Sequence, residues 1–197
     1  ETGAMEIVYS KQQLVEYISR NADVTAGHPI LIDQFLEDAF EFDVDALCDG
    51  KDVHIGAIMQ HIEAGIHSGD SACVLPPYKI SSKAMKEIAR ITKALALELK
   101  VVGLINLQFA FKDNTIFVLE VNPRASRTTP FVSKATNTPL ARIAAQLAIG
   151  AKLKDFKLQS WDRYKHVAIK EAVLPFNKFP NESTYLSPEM KSVSYTH

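Results

Sequence analysis

Two pairs of alternating segments constrain the fold of this chain most strongly. In the first, EFDVDALCDGKDVHIGAIMQHIE (41–63), an Asp-Gly pair at 49–50 separates two stretches with strand-like alternation. In the second, segments 103–111 and 115–122 are separated by three residues that favour a turn. Strands joined this closely pair as antiparallel hairpins, because parallel strands need a long crossover connection. With helical segments between the pairs, the sequence predicts an α+β fold, an antiparallel sheet covered by helices.

Helical patterns occupy the segments around these hairpins. One helix is predicted after Ser10, a second over 81–100, and two short helices within 129–150. The mostly apolar run HPILIDQFL (28–36) predicts a further, buried strand, and the small residues of 64–78 predict a loop.

Composition excludes two classes of partner. Hydrophobic residues make up 47% of the 197 residues and charged residues 23%, so the chain can bury a core. The formal net charge of −1 provides no basic surface for nucleic acid. No segment approaches the ~20 apolar residues of a membrane span, and the N-terminal residues lack a signal-peptide pattern. We therefore expect no nucleic-acid or membrane partner and a cytoplasmic location, with Cys48 and Cys73 as reduced core residues.

The second hairpin, which we call the polar hairpin (103–122), is predicted to carry oxygen ligands on one face. If its turn has three or five residues, even-numbered positions face one another across the pair, and four of them are polar: Asn106, Gln108, Glu120 and Asn122. Apolar residues then point to the other face: Leu107, Phe109, Phe117 and Leu119. Carboxylate and amide oxygens are ligands that Mg²⁺ prefers, whereas the alternative is a polar face that only contacts solvent.

Two arginines follow this hairpin directly. Pro123 ends the strand, and Arg124 and Arg127 come next, in a segment that we call the arginine turn (123–128). Guanidinium groups bind phosphate oxygens with two parallel hydrogen bonds. The residues therefore predict a metal and phosphate site, and the alternative is a set of surface ion pairs that contribute little.

The first strand carries an acidic stripe, because Glu41, Asp43 and Asp45 alternate with apolar residues. Like charges on one strand face repel unless water or cations screen them. One interpretation places Glu41 beside a ligand, at a ribose hydroxyl or a monovalent ion. The other is a solvent-facing edge strand.

The segment AGIHSGD (64–70), the glycine loop, is a third candidate. Its two glycines enclose Ile66, His67 and Ser68, and glycines let successive backbone N–H groups face an anion or nucleotide. The loop matches neither a Walker motif nor a dinucleotide fingerprint. His67 is therefore also open to an incidental interpretation, and His54 and His61 are interpreted as structural or surface residues.

Four stretches together resemble the large subunit of carbamoyl phosphate synthetase: FLEDAFEFDVDALCDG, HIEAGIHSGDSACVLPP, GLINLQFAF and FVLEVNPRASRTTPFVSKATNTPLARIAAQLAIG. They follow the order of the later part of an ATP-grasp domain, from about Ala4 to Lys191. AGIHSGDSA and TTPFVSKAT resemble the second half of that subunit, which phosphorylates carbamate. The resemblance implies a parent ligase that converts ATP and carbamate to carbamoyl phosphate and ADP, for arginine and pyrimidine biosynthesis.

The resemblance also implies roles for particular residues. Mg²⁺ or Mn²⁺ would be bound by Gln108, Glu120 and Asn122. ATP would be contacted by Gln34, Leu36, Glu41, Gly65, Ile66, His67, Ser68, Gln108 and Glu120. The side chain at the position of Gln34 varies in the family. Arg124 and Arg127 would lie near the transferring phosphoryl group as catalytic residues, and Glu41 with the glycine loop would also hold K⁺.

On the same grounds the chain is expected to be a fragment. Residues 1–27 would end the first ATP-grasp lobe, with 1–3 as added residues, 28–150 would form the metal and phosphate lobe, and 151–197 a connecting segment. The parent would receive its nitrogen through a glutaminase small subunit, and the isolated chain would be inactive. The alternatives are another ATP-grasp carboxylate ligase, although those lack HSGDSA followed by SKAT, and a non-catalytic nucleotide-binding module.

Overall fold

The described part of the chain folds around an antiparallel sheet of six strands, which are 3 to 11 residues long. The computed structural model describes residues 6–20, 30–63, 65–163, 165–174, 176–178, 184–186 and 190. Within these residues the strands are β1 (Phe40–Asp49), β2 (Val53–His61), β3 (Cys73–Leu75), β4 (Val102–Lys112), β5 (Thr115–Asn122) and β6 (Ala168–Lys170). The strand order is β5-β4-β1-β2-β3-β6, and each neighbouring pair is antiparallel. The predicted α+β arrangement is confirmed.

Both predicted hairpins form. In the first, β1 and β2 are joined at the Asp-Gly turn, where Gly50 has a φ of 86° and Asp49 Oδ1 accepts hydrogen bonds from the backbone N–H groups of Lys51 and Asp52. A positive φ suits glycine because it has no Cβ, and the carboxylate satisfies amides that the turn leaves without strand partners.

The polar hairpin reaches its register by a different route from the one predicted. Its turn has two residues, Asp113 and Asn114, both with positive φ, so that Lys112 pairs with Thr115. An even position of β4 would then face an odd position of β5 throughout. One extra residue in β5, Leu119, forms a bulge between the pairs Phe109–Val118 and Gln108–Glu120 and changes this parity.

The bulge makes part of the predicted face assignment wrong. Phe117 pairs with Ala110 and shares its face, and it does not join Leu107 and Phe109 as expected. Leu119 is the unpaired residue and is 51% exposed. The prediction assumed strict alternation along β5, and a bulge interrupts the alternation of side chains at one position.

The helices form where the sequence places them. They are α1 (Lys11–Arg20), α2 (Ser82–Glu98), α3 (Thr129–Ala135) and α4 (Leu140–Ala148), with short 3-10 turns at Leu153–Asp155 and Phe176–Lys178. Ser10 Oγ and Ser81 Oγ accept hydrogen bonds from the amides of Gln13 and Ala84, respectively. Such caps satisfy amides that have no partner in the first helical turn. No helix among the described residues is long and apolar enough to cross a membrane.

Each face of the sheet has its own core. On one face, α2 packs Ile88 against strand residues such as Val44 and Leu107. On the other, α3 and α4 cover the apolar end of the sheet, where Leu47 and Leu104 lie with Leu140. This second face also carries polar side chains from neighbouring strands, among them Asp43, Asp45 and Gln108. The sheet therefore presents its polar groups on one surface beside a packed apolar region.

Two local predictions are wrong. Within the predicted strand 28–36, the described residues 30–36 have no regular secondary structure, and Leu31 is 84% exposed. Both sides of the following strand, β1, are already taken by β2 and β4, so the segment cannot pair there. The predicted loop 64–78 contains β3, whose other neighbour in the sheet is β6, from segment 151–197. These three-residue strands form by pairing with each other and, for β3, with β2.

Candidate functional site

The polar hairpin brings the three predicted metal ligands onto one face. Gln108 lies opposite Glu120, and Asn106 lies opposite Asn122. Gln108 and Asn122 are half-buried, whereas Glu120 is exposed at the surface. One carboxylate with two side-chain amides is a donor set of the kind that Mg²⁺ or Mn²⁺ takes, with space left for phosphate or water. The arrangement of these residues therefore fits a hard divalent cation.

The glycine loop is attached to two neighbouring strands. The Gly65 amide donates a hydrogen bond of 3.0 Å to Glu41 Oε1 on β1, and Gln108 Nε2 donates one of 2.8 Å to Ser68 Oγ. The second bond uses the amide nitrogen of Gln108, and its carbonyl oxygen is the atom that would bind a metal. Gly65 has a φ of 74°, which a residue with a side chain adopts only at a cost. The loop thus sits beside the polar hairpin.

Charged residues from three segments influence the pKa of His67. Burial lowers the pKa of His67, the negative charges of Asp70 and Glu120 oppose that change, and the positive charge of Arg127 adds to it. Glu120 belongs to the polar hairpin and Arg127 to the arginine turn. Their charges act on one imidazole of the glycine loop, and Gln108 of the polar hairpin hydrogen-bonds to Ser68 of the same loop.

The arginine turn leaves β5 and exposes both guanidinium-bearing residues. The Arg124 amide donates to the carbonyl of Asn122 at 2.8 Å, which closes a tight turn after the strand. Arg124 and Arg127 are exposed, and the Arg124 guanidinium donates to the carbonyl of Ala125 at 3.1 Å. The turn also connects inward, because Ser126 and Thr128 hydrogen-bond to Asp45.

The acidic stripe of β1 is buried, so the alternative of a solvent-facing edge is wrong. Asp43 is 2% exposed and Asp45 is 1% exposed, because β1 lies between β2 and β4 in the sheet. Burial raises the pKa of Asp45 to about 6, although hydrogen bonds from Thr128, Ser126 and Asn106 favour the ionised form. Buried carboxylates need such partners because the interior solvates them poorly.

His61 is the residue that sequence reasoning missed. Its Nδ1 lies 3.1 Å from Glu41 Oε2, and its Nε2 lies 2.8 Å from Asp43 Oδ2. Burial would lower the pKa of His61, but the hydrogen bonds and charges of Asp43 and Glu41 raise it to about 9. The ring is therefore a cation that balances two carboxylates. A hairpin register counted from the Asp-Gly turn would have placed Gln60 opposite Glu41, because the register changes only at a bulge in β2, where Gly56 is unpaired. The acidic stripe was therefore the available signal.

One ligand atom each from Asp43, His61 and Cys73 lie within 4.8 Å of one another, which is close enough to share a metal ion. Both ring nitrogens of His61 are already engaged with carboxylates. Burial also raises the pKa of Cys73 to about 12, so its sulfur stays a thiol at neutral pH. His61 and Asp43 therefore form an ion pair that packs beside the thiol of Cys73.

Two further predicted nucleotide contacts lie in the irregular segment before β1. Gln34 is exposed and Leu36 is half-buried. Between them, the Phe35 ring lies close to the glycine loop, since a Cβ added at Gly65 would be 3.5 Å from Phe35 Cζ. The segment therefore borders the site, and the roles of Gln34 and Leu36 stay predictions.

The sequence carries the family's features over most of its length. A family model described as "Carbamoyl-phosphate synthase L chain, ATP binding domain" matches residues 2–156. The chain belongs to this family. It is 58% identical to the carbamoyl phosphate synthase large chain of Methanothermobacter thermautotrophicus over 193 residues, and 58% identical to that of Archaeoglobus fulgidus over 190 residues. Both alignments cover 96% of this chain, and the resemblance found in the sequence is confirmed.

The chain is much shorter than these relatives, spanning 18% of the length of either large chain. It spans 48% of a large-chain sequence from Methanosarcina barkeri, to which it is 54% identical. Among solved structures, the biotin carboxylase domain of a single-chain bacterial carboxylase is similar in fold. The TM-score is 0.64 at 15% identity, with 84% of this chain and 44% of that chain covered. The ATP-grasp expectation for the fold is confirmed.

Proposed function

We propose that this chain forms the metal- and phosphate-binding lobe of an ATP-dependent carbamoyl phosphate synthase. The observation that carries the proposal is the attachment of the glycine loop to both Glu41 and Gln108, which joins three candidate segments on one sheet face. Membership of the family supports the substrate, ATP. The segments AGIHSGDSA and TTPFVSKAT support the half of the large chain that phosphorylates carbamate.

In this proposal the polar hairpin holds Mg²⁺ or Mn²⁺ through Gln108, Glu120 and Asn122. The metal, when bound, would neutralise charge on the β- and γ-phosphates of ATP. Ser68 contributes by holding the Gln108 amide in a defined orientation. Because both strands belong to a sheet with a packed core, the ligands would be placed before the metal arrives, which lowers the cost of binding.

The glycine loop and the segment before β1 would receive the nucleotide. Backbone groups of Gly65, Ile66, His67 and Ser68 would contact ATP, with Gln34 and Leu36 from the neighbouring segment. Glu41 would contact the ribose or, with the glycine loop, hold K⁺. The hydrogen bond from the Gly65 amide to Glu41 keeps the loop beside the strand from which these contacts come.

The arginine turn would act on the transferring phosphoryl group. An oxygen of carbamate attacks the γ-phosphorus, the bond from that phosphorus to the β,γ-bridging oxygen breaks, and ADP leaves with the electron pair. Arg124 and Arg127 would stabilise negative charge on the phosphoryl oxygens during this step. Both residues are exposed beside the polar hairpin, so a bound nucleotide can reach them.

Several features of the whole enzyme belong to the same proposal. The large chain would work in the cytoplasm in arginine and pyrimidine biosynthesis, with a glutaminase small subunit as partner. Residues 28–150 would form the metal and phosphate lobe, after the end of a first lobe (1–27) and before a connecting segment (151–197). The chain alone would turn over little substrate, because phosphoryl transfer needs water to be excluded from both sides of the nucleotide.

Binding of ADP with Mg²⁺, measured by calorimetry on this chain, tests the proposal. Glu120→Gln keeps the size of the side chain and removes the carboxylate charge, so we expect metal-dependent ADP affinity to fall about tenfold or more. Glu98→Gln, at the exposed end of α2, is the matched control and should leave the affinity unchanged. Equal affinity in Glu120→Gln and the unchanged chain, or no binding by the folded chain, would contradict the proposed site.

A further inference from the structure

Asp45 connects the central strand to the arginine turn. It is 1% exposed and accepts hydrogen bonds from Ser126 Oγ at 2.7 Å and from Thr128 Oγ1 at 2.6 Å. Asn106 Nδ2 on β4 donates to it at 3.0 Å. Both carboxylate oxygens are used, since Oδ1 accepts from Ser126 and Asn106 and Oδ2 from Thr128.

We propose that Asp45 is a positioning residue that holds Arg127, through its two neighbours in the chain, over the polar hairpin. The inference rests on the proposed function, in which this arginine faces phosphate. Ser126 and Thr128 flank Arg127 directly, so tying both to one buried group fixes the backbone from which the guanidinium extends. In this proposed role Asp45 contacts no reacting atom and acts through the arginine turn.

Asp45 and the groups that hydrogen-bond to it, here called the anchor, require a carboxylate at this position. Two hydroxyl groups and one amide N–H converge on Asp45, and an ionised carboxylate is the side chain that can accept from all three. Hydrogen bonds to a charged acceptor are about twice as strong as those between neutral groups. Asp45 lies on β1, an interior strand of the sheet, so its carboxylate has a fixed position. Its hydrogen bonds therefore restrict the movement of the arginine turn.

The anchor also reaches the helix that follows. Ser126 Oγ accepts a hydrogen bond from the Thr129 amide at 3.1 Å, and Thr129 Oγ1 accepts one from the Ser126 amide at 3.2 Å. Thr129 is the first residue of α3, which packs Val132 into the core. The arginine turn is therefore held at one end by β5, at the other by α3, and in the middle by Asp45.

Measuring the affinities for ADP and for the metal alone distinguishes a positioning role of Asp45 from a general effect on the fold. In Asp45→Asn we expect ADP affinity with saturating Mn²⁺ to fall about tenfold, while the affinity for Mn²⁺ alone changes less than about twofold. The proposed metal ligands lie on β4 and β5, whereas the hydrogen bonds that Asp45 accepts come from Asn106, Ser126 and Thr128. Loss of both affinities in a folded variant, or of neither, would overturn the inference.

A second pair of variants covers the case in which Asp45→Asn does not fold. Thr128→Val removes one hydroxyl donor at nearly constant shape, and Thr128→Ser keeps it. We expect Thr128→Val to weaken ADP binding and to speed hydrogen exchange at the Ser126 and Thr129 amides, and Thr128→Ser to leave both unchanged. Equal behaviour of Thr128→Val and Thr128→Ser would overturn the inference.

Arg127→Gln distinguishes failure of this inference from failure of the proposed function. If Arg127→Gln weakens ADP binding and folded Asp45→Asn does not, the anchor inference is wrong and the proposed function stands. If Arg127→Gln leaves ADP binding unchanged, or the unaltered chain binds no ADP, the proposed phosphate site is wrong, and with it the positioning role of Asp45.

Discussion

At the scale of single residues, His61 shows how the buried acidic stripe is tolerated. It lies between Glu41 and Asp43 in the sheet interior and is 6% exposed. Removing one partner from a buried charge cluster leaves the others without compensation, which is costly. The folded state therefore includes a protonated His61, so its stability depends on pH.

Stability should fall as the pH rises above neutrality. The pKa of His61 is raised from 6.5 to about 9 in the folded chain, so the folded state holds the proton more tightly than the unfolded state. The resulting stabilisation is complete below pH 6.5 and is lost as the pH rises through 9. Urea unfolding across this range should show the free energy of unfolding falling by up to about 3 kcal/mol.

In His61→Gln this fall should be absent, because glutamine does not titrate. His54→Gln is the matched control on the same strand. Burial and the charge of Lys93 lower the pKa of His54 to about 4, so its contribution changes only between pH 4 and 6.5. The variant should therefore keep the fall above pH 6.5. A fall that persists in His61→Gln would contradict the assignment.

At the scale of elements, the bulge in β5 determines which side chains meet. Deleting a residue from a strand normally moves every later side chain to the opposite face. Leu119 is the residue without a partner, so its deletion should leave Glu120 opposite Gln108 in a regular ladder. We expect the deletion variant to retain metal-dependent ADP binding within about threefold of the unaltered chain by calorimetry.

Deletion of Val121, two positions away, provides the contrast. Val121 pairs with Leu107, and removing it would bring Asn122 opposite Leu107 on the apolar face. ADP binding should then be lost because one metal ligand is misplaced and the arginine turn is shifted. Loss of binding in a folded Leu119 deletion would show that the distortion of the bulge, and not the pairing, orients Glu120.

At the scale of the whole molecule, α4 approaches the sheet where β2 carries a glycine. A Cβ added at Gly56 would lie 3.0 Å from the backbone oxygen of Asp45 and 3.1 Å from Leu140 Cδ1. Gly56→Ala should therefore destabilise the chain by about 1–3 kcal/mol through overpacking. Replacing the fully buried Leu140 with alanine should lower the free energy of unfolding by about 2–5 kcal/mol.

The double variant tests whether the two residues share one contact. Shortening Leu140 removes part of the clash and leaves the contact with Asp45 oxygen, so the combined loss in urea unfolding should be smaller than the sum. Leu147→Ala, on the same helix and also buried, should be additive with Gly56→Ala because the atoms nearest the new methyl group belong to Asp45 and Leu140. Additivity in both pairs would show that the helix moves away from the sheet.

The hairpins, the helices and the choice of candidate ligand residues were determined by the sequence itself. Alternation along β1 and β4, the Asp-Gly turn and the Ser81 cap are local signals, because each depends on residues a few positions apart. The types of side chain in the polar hairpin and the arginine turn likewise indicated metal and phosphate chemistry before any contact was known.

Only the tertiary structure decided which of these residues are buried and what they touch. The acidic stripe is internal because β1 pairs with β2 across a short turn and also with β4, which lies tens of residues further along the chain. Long-range contacts also create β3 and β6 and bring Ser126 and Thr128 to Asp45, whereas the bulge in β2 places His61 against two carboxylates. Periodicity reports the two faces of a strand, but solvation depends on what packs against each face, and distant parts of the chain supply that packing.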